Sequence, residues 1–81
     1  SINSVSIANG LSDFRTQEVG VINTLIPRAK RNIVIAASTK LEKKSHIFVA
    51  PLSAVDSIIT DSRVPSDIAE LYRSSGIDLL Y

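Results

Sequence analysis

The chain contains no cysteine and no methionine, and only one histidine. Without cysteine there is no disulfide to brace a small fold, and His46 by itself cannot found a typical zinc site. No metal or other cofactor is therefore expected. The lack of cysteine also fits the cytoplasm, the expected location. The three glycines, Gly10, Gly20 and Gly76, lie far apart. They form neither a glycine-rich phosphate loop nor the Gly-x-Ser-x-Gly turn of a nucleophilic serine. Charge of one sign is also missing: nine Lys and Arg face eight Asp and Glu, for a net +1. A nucleic-acid-binding module usually carries a clear basic excess. No apolar run approaches the roughly 20 residues that span a bilayer, and the first residues lack the basic start and long apolar run of a signal peptide. Aromatics are scarce, being Phe14, Phe48, Tyr72 and Tyr81 alone, so the core must be mainly aliphatic. With 81 residues the chain makes one domain at most, and a domain of that size has a thin stability margin. It must pack efficiently or lean on a partner. The Ser1-Ile2 start, with no methionine anywhere, suits a processed terminus or a piece of a longer protein.

What is present reads as alternating helices and strands. Val5 and Ile7 alternate with small polar residues and allow a short strand, followed by a turn at Asn9-Gly10. A helix is expected from Thr16 to about Arg28, with Thr16 as cap and Glu18 in its first turn. Val19, Ile22, Ile26 and Ala29 share one face, and Pro27 should kink or end the helix near Ile26. Arg28, Lys30 and Arg31 then read as a solvated basic end, with a phosphate patch as the sharper alternative. Asn32 to Ala37 is a continuous β-branched and alanine run, the pattern of a central parallel strand covered on both faces. Further strands are expected at Ile47 to Ala50, between Val55 and Thr60, and at Ile77 to Tyr81. A second helix spans Pro65 to Ser74, with Ile68, Leu71 and Tyr72 as its apolar face and Gly76 as its left-handed cap. The implied class is α/β, a largely parallel sheet with flanking helices.

Open parallel sheets bind ligands beyond the carboxyl ends of their strands. Two such places stand out: Ser38-Thr39-Lys40, after the first long strand, and Thr60-Asp61-Ser62, after the third. Hydroxyls and a lysine ammonium suit a phosphate. The same residue types also make ordinary solvated turns. His46 reads as a partly exposed residue at a strand start. Asp56, Asp61, Asp67 and Asp78 can all be structural, with Asp56 and Asp61 the better placed for a polar role near a site.

Ile33 to Lys40, Ile-Val-Ile-Ala-Ala-Ser-Thr-Lys, resembles the strand and loop of DeoR-type transcriptional repressors. Phe48 to Ser53 and Val55 to Asp61 resemble the segments that follow it there. Asn9-Gly10-Leu11-Ser12 is similar to that family's Gly-Leu-Thr turn, and Gly76 to Leu80 to its last strand. The blocks keep their order and spacing over nearly the whole chain. The resemblance implies that residues 1–81 are the C-terminal part of an effector-sensing domain. Its fold would be Rossmann-like, similar to ribose-5-phosphate isomerase and glucosamine-6-phosphate deaminase. A DNA-binding winged helix-turn-helix would lie outside this chain. It implies a phosphorylated sugar as effector, DNA bound only through that missing domain, a homo-oligomer, no membrane contact and no enzymatic activity.

Residue by residue, Lys40 matches the lysine that ends the family's Asp-Ser-Ser-Lys pattern. Ser38 matches its first serine, and Thr39 stands where a second serine is common. Lys40, Ser38, Thr39 and Asp61 are thus the expected effector-binding residues, with no catalytic residue. Ala37 replaces the family's usual aspartate, and Pro27 is unusual in the helix. The alternatives are a sugar-phosphate isomerase or deaminase fragment, which would need the carboxylate that Ala37 lacks, and an oligomerisation domain without ligand.

Overall fold

The computed structural model describes residues 2–81, with the side chains of residues 16–18 and 21 outside the description. The elements run β1 (Ser4–Ser6), β2 (Gly10–Asp13), α1 (Thr16–Leu25), β3 (Ile33–Ile35), β4 (Ile47–Ala50), β5 (Ser57–Ile59), α2 (Ser66–Ser74) and β6 (Asp78–Leu80). Short 3-10 turns at Ile26–Arg28, Ser38–Lys40 and Leu52–Ala54 link them. The class is α/β, but the strands divide between two sheets of three. One is antiparallel in the order β1-β2-β4; the other is parallel in the order β3-β5-β6.

The strand at Ile47–Ala50 therefore joins the antiparallel sheet instead of the parallel one. It does so because β2 pairs with it, Leu11 opposite Ala50 and Ser12 opposite Phe48. β2 carries a single large apolar residue and does not read as a strand. It is buried all the same, with Ser12 and Asp13 nearly inaccessible and both engaged in hydrogen bonds. Gly10 opens it at φ +70°, a backbone that favours glycine. A side chain here would fall onto the Ala50 carbonyl oxygen and within 2.9 Å of Pro51 Cα. Gly10→Ala is expected to lower stability by about 2 kcal/mol, from left-handed strain plus overlap with backbone that cannot yield. Chemical denaturation checks it, and an unchanged midpoint would contradict this packing.

α1 ends at Leu25, and the chain tightens into the 3-10 turn that holds Pro27, as a missing backbone donor requires. Val19 is buried and Ile22 and Ile26 are half-buried against the core, but Ala29 is exposed, already in extended backbone. The N-cap position falls to Arg15, without a side-chain cap bond. The expected Thr16 cap and Glu18 contribution lie outside the described residues. α2 buries Ala69 and Tyr72 with Ile68 beside them, while Leu71 is 42% exposed and off that face. Its end is a Schellman turn: Gly76 at φ +88°, with Gly76 N–H donating to Arg73 O and Ile77 N–H to Tyr72 O.

The core lies between the two sheets and α2, with Val5, Ile58 and Tyr72 fully enclosed and Leu79 nearly so. Val34, Ile58 and Leu79 are paired across the parallel sheet and form its inner face. Its outer face is open. Ile33 and Ile35 are 52% and 63% exposed, and Ile59 and Leu80 on neighbouring strands 38% and 49%. β3 is thus an edge strand with one uncovered face, not the doubly covered central strand its composition suggests. The residues described here supply no layer for that side. Arg31 crosses one end of the face, donating to Ser57 Oγ at 2.6 Å and lying 3.6 Å from Asp78. Its charge is spent on the sheet rather than on a helix end.

Candidate functional site

The Ser38–Lys40 turn begins where β3 stops, at the carboxyl edge of the parallel sheet. Lys40 N–H donates to Ala37 O at 2.9 Å and Leu41 N–H to Ser38 O at 3.2 Å, which closes the turn. Asp61 reaches it from the end of β5: Oδ2 accepts from Ser38 N–H at 2.8 Å and Oδ1 from Arg63 N–H at 2.9 Å. Ser38 and Asp61, named from two separate segments, are therefore adjacent. The Ser38 backbone N–H, the Ser38 hydroxyl and then the Arg63 N–H hold the Asp61 carboxyl below its usual range. Asp61 stays ionised and occupies the donor at the start of the turn, where an anion would otherwise sit. It suits a sugar hydroxyl, which donates, and positions the turn; it does not suit a phosphate. Beside it the Thr60 Oγ1 is enclosed without a hydrogen-bond partner.

Lys40 opens onto a cleft of about 400 Å³. Arg15 and Asn3 share its wall, and the end of β3, Ile35 to Ala37, with Ile2 supplies an apolar floor. Of the expected effector residues only Lys40 lines this cleft; Ser38, Thr39 and Asp61 lie outside it, Thr39 exposed and Ser38 half-buried. Neither Arg15 nor Asn3 stands out by spacing or composition. The available signal is the short interval from Asp13 to Arg15, which lets the two side chains meet. Arg15 Nε donates to Asp13 Oδ1 at 3.0 Å and Nη2 to Oδ2 at 2.9 Å, a two-pronged pair. Asp13 is 0% exposed and also accepts from the backbone N–H groups of Asn3, Phe14 and Arg15. The Arg15 guanidinium, helped by the Phe14 and Arg15 N–H groups, holds its carboxyl far below the usual range despite burial.

The loop after Lys40 is pinned from α2. Tyr72 Oη donates to Glu42 Oε2 at 2.6 Å, and Ile7 N–H donates to the same oxygen at 2.9 Å. Glu42 holds φ +58°, a left-handed conformation uncommon for a residue with a Cβ. Ser45 and Asn3 tie the loop's far end to β1, with Asn3 Nδ2 donating to Ser45 Oγ at 2.6 Å. His46 is exposed beside Lys44 and Phe48, away from Lys40's cleft. Asp56 accepts from Asn32 N–H at 2.7 Å and is structural. Among the described residues no group of three or more His, Cys, Asp or Glu could hold a metal. Nor is any helix long and apolar enough to cross a membrane.

Residues 1–62, from β1 through the Asp61 turn, match the family described as the DeoR C-terminal sensor domain. The chain belongs to the DeoR C-terminal sensor-domain family. Its relatives include proteins named as transcriptional regulators. A transcriptional regulator of the sgc region in Escherichia coli K12 is 33% identical over 98% of this chain and 30% of its own length. The regulator GlpR of Haloferax volcanii is 24% identical over 96% of this chain and 31% of its own. An aga operon transcriptional repressor of Escherichia coli O157:H7 is 24% identical over 98% and 29%. This DeoR sensor domain thus spans about 30% of the length of the curated relatives it matches. It is a regulatory domain by its family; two of these relatives are named as transcriptional regulators and one as a transcriptional repressor.

Proposed function

We propose that this DeoR sensor domain binds a phosphorylated sugar beyond the carboxyl ends of its parallel strands. Lys40 would take the phosphate and Thr39 donate its hydroxyl, while Ser38, whose hydroxyl is bonded to Asp61, would accept from the sugar together with Asp61. The observation that carries the reading is the cleft at Lys40, which opens at the end of β3 where open parallel sheets place their ligands. The adjacency of Ser38 and Asp61 supports it.

In the same reading, residues 1–81 are the C-terminal part of a sensing domain with a Rossmann-like sheet. The remainder of the domain covers the apolar outer face of β3, β5 and β6. That face supports the proposal because parallel sheets are normally covered on both sides. DNA is contacted only through a winged helix-turn-helix outside these residues, in a homo-oligomeric, cytoplasmic regulator without enzymatic activity. Ligand acts by binding one of two regulator states more tightly than the other, since only differential affinity shifts such an equilibrium.

Titration calorimetry with ribose 5-phosphate, glucose 6-phosphate and their unphosphorylated sugars tests this. Saturable binding of a phosphorylated sugar, weakened about 10- to 100-fold in Lys40→Ala, is expected for loss of one charge-assisted contact. Equal binding by the variant, or preference for the unphosphorylated sugar, would contradict the assignment.

A further inference from the structure

We propose that Glu42 is a positioning residue for the effector site: bonded to Tyr72, it holds the backbone that follows Lys40 and so fixes where the Lys40 ammonium is presented. The inference rests on the reading of Lys40 as the phosphate contact and adds to it the part of the fold that keeps Lys40 in place.

Among the described residues Glu42 is the only one other than glycine at positive φ, at +58°. A residue with a Cβ keeps that conformation only where its surroundings enforce it, and such positions gather at functional sites. Here one side chain supplies most of the enforcement. The Tyr72 hydroxyl donates to Glu42 Oε2 at 2.6 Å and accepts from Glu42 N–H at 3.3 Å. Both ends of Glu42 thus close on one oxygen of a residue that is 0% exposed. Ile7 N–H donates to the same carboxylate oxygen at 2.9 Å, and Lys43 N–H donates to Val5 O at 3.1 Å. Glu42 itself is exposed, so water can serve its carboxylate equally well. The bonds hold a backbone conformation; they do not rescue a buried charge.

Lys40 lies two residues upstream, at the end of the Ser38–Lys40 turn. Leu41 between them is buried and bridged to Val5. Lys40 lines the 400 Å³ cleft and Glu42 does not, so Glu42 acts through Lys40. A lysine stem is flexible. A fixed backbone origin limits the space its ammonium explores, and preorganisation of this kind raises affinity by reducing what binding must order. The Glu42 charge works the other way, since a carboxylate near Lys40 opposes an anionic ligand. Removing Glu42 therefore separates the two roles by sign.

Calorimetry on the full chain with glucose 6-phosphate and ribose 5-phosphate reads the effect, at a temperature where circular dichroism shows each variant folded. Glu42→Ala is expected to weaken binding about 10-fold although it removes a negative charge, and Tyr72→Phe, which keeps that charge, by a similar factor. The double variant is expected to bind no more weakly than either single one, because both remove the same contact. Glu42→Gly is expected to bind within about 3-fold of the unaltered chain, since glycine takes the left-handed conformation without support. Should Glu42→Ala fail to fold, Tyr72→Phe decides.

Unchanged or tighter binding in Glu42→Ala or Tyr72→Phe, while Lys40→Ala loses affinity, overturns the positioning role and leaves the sensor reading standing. Glu42→Gly binding as weakly as Glu42→Ala would overturn it too, by assigning the effect to the carboxylate and not to the backbone it holds. Absence of binding by the unaltered chain to either sugar phosphate overturns both.

Discussion

Tyr72→Ala is expected to destabilise the fold by about 3–5 kcal/mol, the range for removing a buried aromatic. Tyr72 is 0% exposed, whereas the other three aromatics are each more than half exposed. It contributes the largest fully buried side chain, between α2 and the sheets. Domains of this size have on the order of 4–12 kcal/mol in total, so the variant should be largely unfolded or close to it. Tyr72→Phe separates the ring from its hydroxyl. It keeps the packing but loses the bond to Glu42 at 2.6 Å, and should cost about 1 kcal/mol, a shift of several degrees in midpoint. Burial, then the Glu42 carboxylate, pushes the Tyr72 hydroxyl well above its ordinary value of 10.0. Its folded pKa is raised, so this contribution is complete below pH 10 and is lost as pH rises further. Tyr72→Phe should remove that alkaline loss. A Tyr72→Ala protein that melts like the unaltered one would contradict the packing described.

Asp13→Ala carries the second large effect, about 3 kcal/mol. The change leaves the N–H groups of Asn3, Phe14 and Arg15 without their acceptor and removes the carboxylate that pairs with the Arg15 guanidinium. The figure is set at the lower end for a broken buried pair, because Arg15 is 41% exposed and water can reach it. The pH dependence has a definite sign. Asp13's folded pKa lies below its ordinary 3.8, so its stabilisation is present above that pH and falls away as pH drops toward the folded value. Asp13→Asn should flatten the acid limb of a stability-against-pH curve. Acid unfolding identical in Asp13→Asn and the unaltered chain would show that another carboxylate controls it.

Much of the fold was legible because local rules agreed with the final packing. Pro27 ended α1 where a missing donor must, and Gly76 adopted the left-handed cap expected after α2. The β-branched run at Ile33 to Ile35 did become a parallel strand. Its apparent double coverage misled because the described residues leave one face of that strand open, with Ile33 and Ile35 exposed. β2 escaped notice for the opposite reason. Its buried positions are polar, with Ser12 at 2% exposure and Asp13 at 0%. Hydrogen bonds across the chain, not hydrophobicity, make that burial tolerable.

The site divided similarly. Ser38 and Asp61 could each be named because both follow parallel strands, as two separate places; the bond that joins them is seen only in the fold. Arg15 could not, since its approach to Lys40 depends on how the β1-β2 unit sits against the end of β3. No periodicity expresses that contact.

The central claim is that a phosphorylated sugar binds at the end of β3. Amide NMR of the chain titrated with glucose 6-phosphate and ribose 5-phosphate tests it most directly. The account predicts saturable shifts clustered at Ser38 to Lys40, Asp61 and Arg15, abolished in Lys40→Ala. Shifts centred instead on the open face of Ile33, Ile59 and Leu80, or on the clefts around Phe48, would contradict it.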